Sequence, residues 1–128
     1  MNVLLDTCTF LWIATDAASL SPRARDVFRD PTNAIHLSAV SAWEIAVKFG
    51  RGGLRLAEPP ERLIPAAREK YGLEGLPLDE ESVLQAHRLP ALHRDPFDRM
   101  LVCQAIVHGL AILTPDRLIG QYTVRTLW

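Results

Sequence analysis

Five carboxylates stand at positions from which they can act together. Asp6 directly follows the apolar run Val3–Leu5, and Glu44 comes shortly after the run Ala34–Leu37. Asp95 and Asp98 share the segment Arg94-Asp95-Pro96-Phe97-Asp98-Arg99, and Asp116 follows the apolar run that starts at Leu110. Carboxylates drawn into one pocket repel one another and rise in pKa unless a cation favours their charged forms. Magnesium or manganese meets that need. Hard divalent ions prefer oxygen ligands, and an ion that keeps some of its waters generates a hydroxide nucleophile and stabilises a phosphoryl transition state.

For these acids to meet, the elements carrying them must end on one rim, and the alternation of apolar runs with turn residues predicts this. Val3–Leu5 reads as a buried strand and is followed by a helix to about Ala14. A Ser21 cap with Pro22 at the first helical position then opens a helix to about Arg29. Ala34–Leu37 reads as the second strand, and Ser41 opens a helix to about Phe49 that stops at Gly50, Gly52 and Gly53. Pro59-Pro60 introduces a helix interrupted in principle by Pro65, which removes an interior hydrogen bond. Leu76–Leu78 is the expected third strand, and Asp79 caps a helix to about Arg88 with Val83, Leu84 and His87 on helical spacing. Asp95-Pro96 starts a helix that ends at Gly109, Leu110–Thr114 is a strand, Asp116 begins a short turn or helix, and Val124–Trp128 closes as the last strand. The fold class is therefore α/β, a single domain over residues 1–128 with a mainly parallel twisted sheet flanked by helices. In such sheets ligands sit beyond the carboxyl ends of the strands, where all five acids fall.

Bulk properties narrow the chemistry. The chain has 128 residues, 48% of them hydrophobic, enough for one core without disulfides or structural metal. No signal segment or membrane-length apolar run is present in the sequence, so the expected location is the cytoplasm, with no membrane partner. Cys8 and Cys103 lack any C-x-x-C or Cys/His spacing and read as small buried hydrophobes. A formal net charge of −1 excludes binding of nucleic acid through bulk positive charge. If RNA is the substrate, individual Lys and Arg residues must hold it.

Each acid also has a plain structural reading. Ser41-Ala42-Trp43-Glu44 fits a capping box, and Asp95 with Asp98 fits a cap followed by a first-turn acid, each such cap contributing about 0.5–2 kcal/mol. Asp6 fits this reading less well, because an acid directly after a buried strand adds nothing to the sheet and must be desolvated or bound. The joint placement of all five favours function.

On Leu4-Leu5-Asp6-Thr7, Ser38-Ala39-Val40-Ser41-Ala42-Trp43-Glu44-Ile45, Arg94-Asp95-Pro96-Phe97-Asp98-Arg99 and Leu113-Thr114-Pro115-Asp116, the chain resembles the PIN domain, and more closely the VapC toxins of type II toxin–antitoxin systems. The resemblance covers the whole chain and implies a metal-dependent endoribonuclease. It maps the family's acidic quartet onto Asp6, Glu44, Asp98 and Asp116, with Asp95 as an additional acid of a subgroup. The implied cofactor is magnesium or manganese, held principally by Asp6, Glu44 and Asp98, with Asp116 completing the site. The implied partners are an RNA substrate, a VapB-like antitoxin whose tail occupies a groove leading to the acids, and a second copy of the chain. Thr7 matches the family's hydroxyl after the first acid, with an ordinary cap as the alternative. The chain departs from the family pattern at Cys8, Pro115 and Ile119.

Arg94, Arg99 and Lys48 are candidates for phosphate contact, as are Arg51 and Arg55, against the alternative of surface charge and internal pairing. His93 beside the acidic segment reads first as structural or solvated, with catalysis as the alternative. Trp43 is expected in the core, and Trp12 at a surface. Two other activities remain open: a general RNA-processing PIN nuclease, and a catalytically silent PIN-like module that binds RNA or protein. A receiver domain and a haloacid-dehalogenase-type phosphatase each lack a residue their chemistry requires, and a Cys8/His hydrolase stays open on paper although no local motif sets a base beside that thiol.

Overall fold

The apolar runs that precede Asp6, Glu44 and Asp116 form parallel strands in the computed structural model, which describes residues 1–128. The elements run β1 (Asn2–Leu5), α1 (Thr7–Ala14), α2 (Pro22–Arg29), β2 (Ala34–Ser38), α3 (Ala39–Gly50), α4 (Pro60–Tyr71), β3 (Glu74–Leu76), α5 (Glu80–Gln85), α6 (Pro96–His108), β4 (Ala111–Leu113) and β5 (Thr126–Leu127). The sheet order is β3-β2-β1-β4-β5, and every pairing is parallel. Both faces are covered, which is why Val3–Leu5 of β1 and Ala111–Leu113 of β4 are apolar without interruption. The two-residue period divides them. Val3, Leu5, Ile35, Leu37 and Leu113 join Phe10, Ile13, Ala24, Ile64 and Ala67 of α1, α2 and α4. Leu4 and Ile112 point the other way, into Leu101, Val102 and Ala105 of α6. The chain builds outward from β1 to β3, then returns to lay β4 on the opposite side of β1. That reversal opens a crevice at the carboxyl ends of β1 and β4.

Several boundaries differ from the sequence expectation, for identifiable reasons. The strand β2 turns straight into α3, so Ser38, not Ser41, is the N-cap: its Oγ accepts from Val40 N at 2.9 Å. The same hydroxyl donates to the buried Gln104 Oε1 at 2.5 Å, and Gln104 Nε2 donates to Pro77 O at 3.1 Å, fastening β2 to α6. Ser41 therefore lies inside α3, and Glu44 in its second turn is no capping-box partner. The third strand is Glu74–Leu76 instead of Leu76–Leu78. Gly72 ends α4 in the left-handed conformation (φ 62°), which turns the chain into the sheet early, and Pro77 has no N–H with which to extend the ladder. Helix α4 runs through Pro65, which shares the exposed side of the helix with Glu61, so the missing bond falls where water can replace it.

Burial corrects three further expectations. Trp43 is 57% exposed, because α3 buries the stripe of Val40, Ser41, Glu44 and Ile45 instead. Its ring meets Phe97 edge-on, with centroids 4.8 Å apart. Cys103 is buried as expected, but Cys8 is exposed. Val83 and Leu84 of α5 are also exposed, so their helical spacing marks no core face. Trp12 packs against Trp128 with centroids 5.8 Å apart.

Candidate metal centre

The carboxyl ends of β1 and β4 and the starts of α1 and α6 meet in a cleft of about 280 Å³, and its walls include Asp6, Glu44, Asp95, Asp98 and Asp116. All five acids singled out in the sequence thus share one pocket. Asp6 is the N-cap of α1. Its Oδ1 accepts from Thr9 N at 2.8 Å, and its Oδ2 accepts from the Thr114 hydroxyl at 2.5 Å. The capping role set aside for Asp6 in the sequence is therefore real, and the pocket adds to it. Burial pushes the Asp6 carboxyl above its ordinary range, against the opposing hydrogen bonds from Thr114 and Thr9.

Asp95 caps α6 by accepting from Phe97 N at 2.8 Å, which sets Asp98 in the first turn facing the cleft. Asp98 is pushed up from 3.8 to about 7, first by burial and then by the neighbouring charges of Asp95 and Glu44. Asp116 follows β4 and is held through Leu118 N, which donates to its Oδ1 at 2.8 Å. Glu44 is 4% exposed. One of its oxygens pairs with Lys48 one turn along α3, and the other, Oε1, is buried without any hydrogen-bond partner. A buried anionic oxygen left bare is costly. It marks a place where a cation belongs, and the carboxylates that share the cleft suit a hard divalent ion.

The other expected contacts divide. Lys48 lines the cleft with a half-exposed side chain. Arg94, Arg51 and Arg55 are exposed. Thr7 is buried and donates to Ser41 Oγ at 3.0 Å, so its hydroxyl ties α1 to α3. Arg99 is turned away from the cleft. It donates to Pro90 O at 2.8 Å and Tyr122 Oη at 3.2 Å, which engages its guanidinium internally. The residue undervalued in the sequence is His93, whose Nε2 lies 3.0 Å from Asp116 Oδ2 and 3.1 Å from Asp98 Oδ2. The available signal was its place two residues before Asp95. A family model for the PIN domain matches residues 3–123.

The chain belongs to the PIN-domain family. Its fold is similar to VapBC2 from Rickettsia felis bound to a promoter DNA fragment, with a TM-score of 0.73 and 12% identity over 98% of this chain and 97% of that one. It is also similar to DNA-bound VapBC from Salmonella typhimurium, with a TM-score of 0.68 and 19% identity over 98% and 96% of the two chains. Ribonuclease VapC16 of Mycobacterium tuberculosis is 36% identical over 76 residues, 59% of this chain and 50% of that protein. The chain thus aligns with about half the length of that curated relative.

The carboxylates of this PIN domain make its stability depend on pH in a definite direction. Asp98 titrates at about 7 in the folded protein against an ordinary 3.8, so between those values the folded state holds the extra proton. Stability of the metal-free protein then falls as pH rises through that window, and the raised Asp6 acts with the same sign. Thermal melts in chelator at pH 5 and pH 8 are expected to show a lower midpoint at pH 8. Asp98→Asn should flatten that slope, and an equal slope in the variant would remove Asp98 as its source.

Proposed function

We propose that this PIN domain is a divalent-metal-dependent endoribonuclease acting as the VapC-type toxin of a toxin–antitoxin pair in the cytoplasm. The observation that carries this reading is the convergence of Asp6, Glu44, Asp98 and Asp116 on one cleft, with a buried Glu44 oxygen lacking a partner. Likeness to a ribonuclease and to VapBC complexes supports it. Asp6, Glu44 and Asp98 would hold magnesium or manganese, with Asp116 completing the site and Asp95 adding charge from the cap of α6. Such an ion supplies an activated water and neutralises charge developing on a phosphodiester. The chain's own groups bind and orient. Lys48 at the cleft wall and the exposed Arg94 are the proposed contacts to RNA phosphates, and Thr114 fixes the Asp6 carboxylate through its hydroxyl.

A VapB-like antitoxin is the proposed partner, and a homodimer the proposed assembly. Between α3 and α4 lies an apolar groove of about 530 Å³ walled by Ala42, Ala46, Phe49, Ile64 and Pro65, which suits an amphipathic segment of the antitoxin. No helix is long and apolar enough to cross a membrane. The purified chain is expected to cleave structured RNA in magnesium or manganese and to lose all cleavage in excess chelator. Cleavage that persists in chelator would contradict the mechanism. The product of a short reading frame directly upstream, if co-expressed, should suppress the activity, which separates a toxin from a general processing nuclease.

A further inference from the structure

We propose that His93 is a positioning residue of the metal centre, its Nε2–H holding the Asp98 and Asp116 carboxylates together while its loop is clipped to the body of the protein. This rests on the metal-nuclease reading above and adds to it the group that sets the spacing of two of its acids. The imidazole is oriented by its other nitrogen: Asp95 N donates to His93 Nδ1 at 3.1 Å. A ring that accepts at Nδ1 carries its hydrogen on Nε2. That hydrogen is donated to Asp116 Oδ2 at 3.0 Å, and Asp98 Oδ2 lies 3.1 Å from the same nitrogen. The same tautomer leaves Nε2 without the lone pair that coordination needs, so His93 stands behind the oxygens and leaves the donor set all-carboxylate.

The loop that carries the ring is fixed from two sides. The Tyr122 hydroxyl accepts from His93 N at 2.8 Å and Leu92 N at 3.2 Å, and Arg99 reaches back from α6 to Pro90 O at 2.8 Å. His93 itself is largely buried, with 10% of its side chain exposed, so its ring has little freedom to turn. Two carboxyl groups drawn to one ring nitrogen would separate without it, and a ligand pair that separates must be drawn together again when an ion binds. Preordering by a neighbouring group is worth about 10- to 100-fold in metal affinity.

Two substitutions divide the ring's two jobs. Asn places its amide near Nδ1, so His93→Asn keeps an acceptor for Asp95 N–H and loses the reach to the acids. Gln places its amide nitrogen near Nε2, so His93→Gln keeps the donor to the acids. Manganese would be titrated into wild type, both variants and Asp98→Asn, with free ion followed by its paramagnetic resonance signal and folding by thermal melts in chelator. The expected result is about a 10- to 100-fold weaker affinity for His93→Asn at an unchanged melting temperature, and an affinity within a few-fold of wild type for His93→Gln. Wild-type affinity in His93→Asn would overturn the proposal, as would equal losses in both variants accompanied by lower melting temperatures. Nitrogen coupling to bound manganese in the wild type would overturn it too, by making His93 a ligand. If wild type and Asp98→Asn bind manganese equally weakly, the metal-centre reading itself fails and takes this proposal with it.

Discussion

Glu44→Gln is expected to lose at least about 100-fold in affinity for magnesium or manganese and in RNA cleavage, while the metal-free protein melts no lower than wild type. The substitution keeps shape and one oxygen but removes the charge that balances a divalent ion. In the sequence this residue was open to a harmless reading as a capping-box partner of Ser41, under which Gln would serve as well as Glu. The structure removes that reading, because Ser38 caps α3 and Glu44 lies a turn further on. What Glu44 leaves behind when mutated is small on the stability side. Its partner Lys48 is half exposed, and a pair of that kind contributes about 0–1 kcal/mol. Against that loss stands relief of repulsion on Asp98, whose carboxyl is pushed up partly by Glu44. The Asp98 titration should accordingly move below about 7 in the variant, shifting the pH-dependent loss of stability to lower pH. Calorimetric titration with manganese, melts in chelator and an RNA cleavage assay check the three parts. Near wild-type cleavage and affinity would remove Glu44 from the site.

Asp6→Asn should be as damaging to cleavage, again at least about 100-fold, with the fold intact. Asn caps a helix as well as Asp does, so the bond from Thr9 N survives. At the other oxygen the roles must exchange. The Thr114 hydroxyl now donates to Oδ2, whereas the Asn amide would donate to Thr114 Oγ1, which already accepts from Asp116 N and has a second lone pair free. Removal of a buried carboxylate whose charge is disfavoured by burial offsets any cost of that exchange. Asp6→Ala provides the contrast, since it also loses the cap and should cost about 0.5–2 kcal/mol of stability. Circular dichroism and the same RNA assay separate the two effects, and retained activity in Asp6→Asn would show that this carboxylate serves only α1.

The acids were legible in the sequence because their positions follow from strand ends. An apolar run that stops at Asp6, and another that stops before Asp116, places both at the switch between β1 and β4 whatever the detailed packing. The Asp95-Pro96 start of α6 was equally readable, since cap and fixed φ both lie in adjacent residues. Finer features depend on which face of an element is buried, and local pattern does not encode that. Ser38 and Ser41 are equally good caps by type, and only the immediate turn from β2 into α3 selects Ser38. Trp43 is apolar but sits off the buried stripe of its helix. Arg99 and the backbone of His93 both bond to the Tyr122 hydroxyl, more than twenty residues away in the chain, and nothing beside them in sequence announces those two bonds.

The hydrogen bond between Thr114 and Asp6 joins residues 108 positions apart, and this fixes when in the life of the chain the acidic cleft can close. Strand β1 is made first but gains its partner β4 only after everything from α1 to α6 has been made, and β4 is in turn secured by Arg125 O, which accepts from Ile112 N at 2.8 Å, and Leu127 O, which accepts from Thr114 N at 3.1 Å. Contacts of such long sequence separation form late. A chain made only as far as α6 therefore carries Asp6 and Glu44 without Asp116 or the strand that brings it into place, and a product truncated there is left with a one-sided pocket.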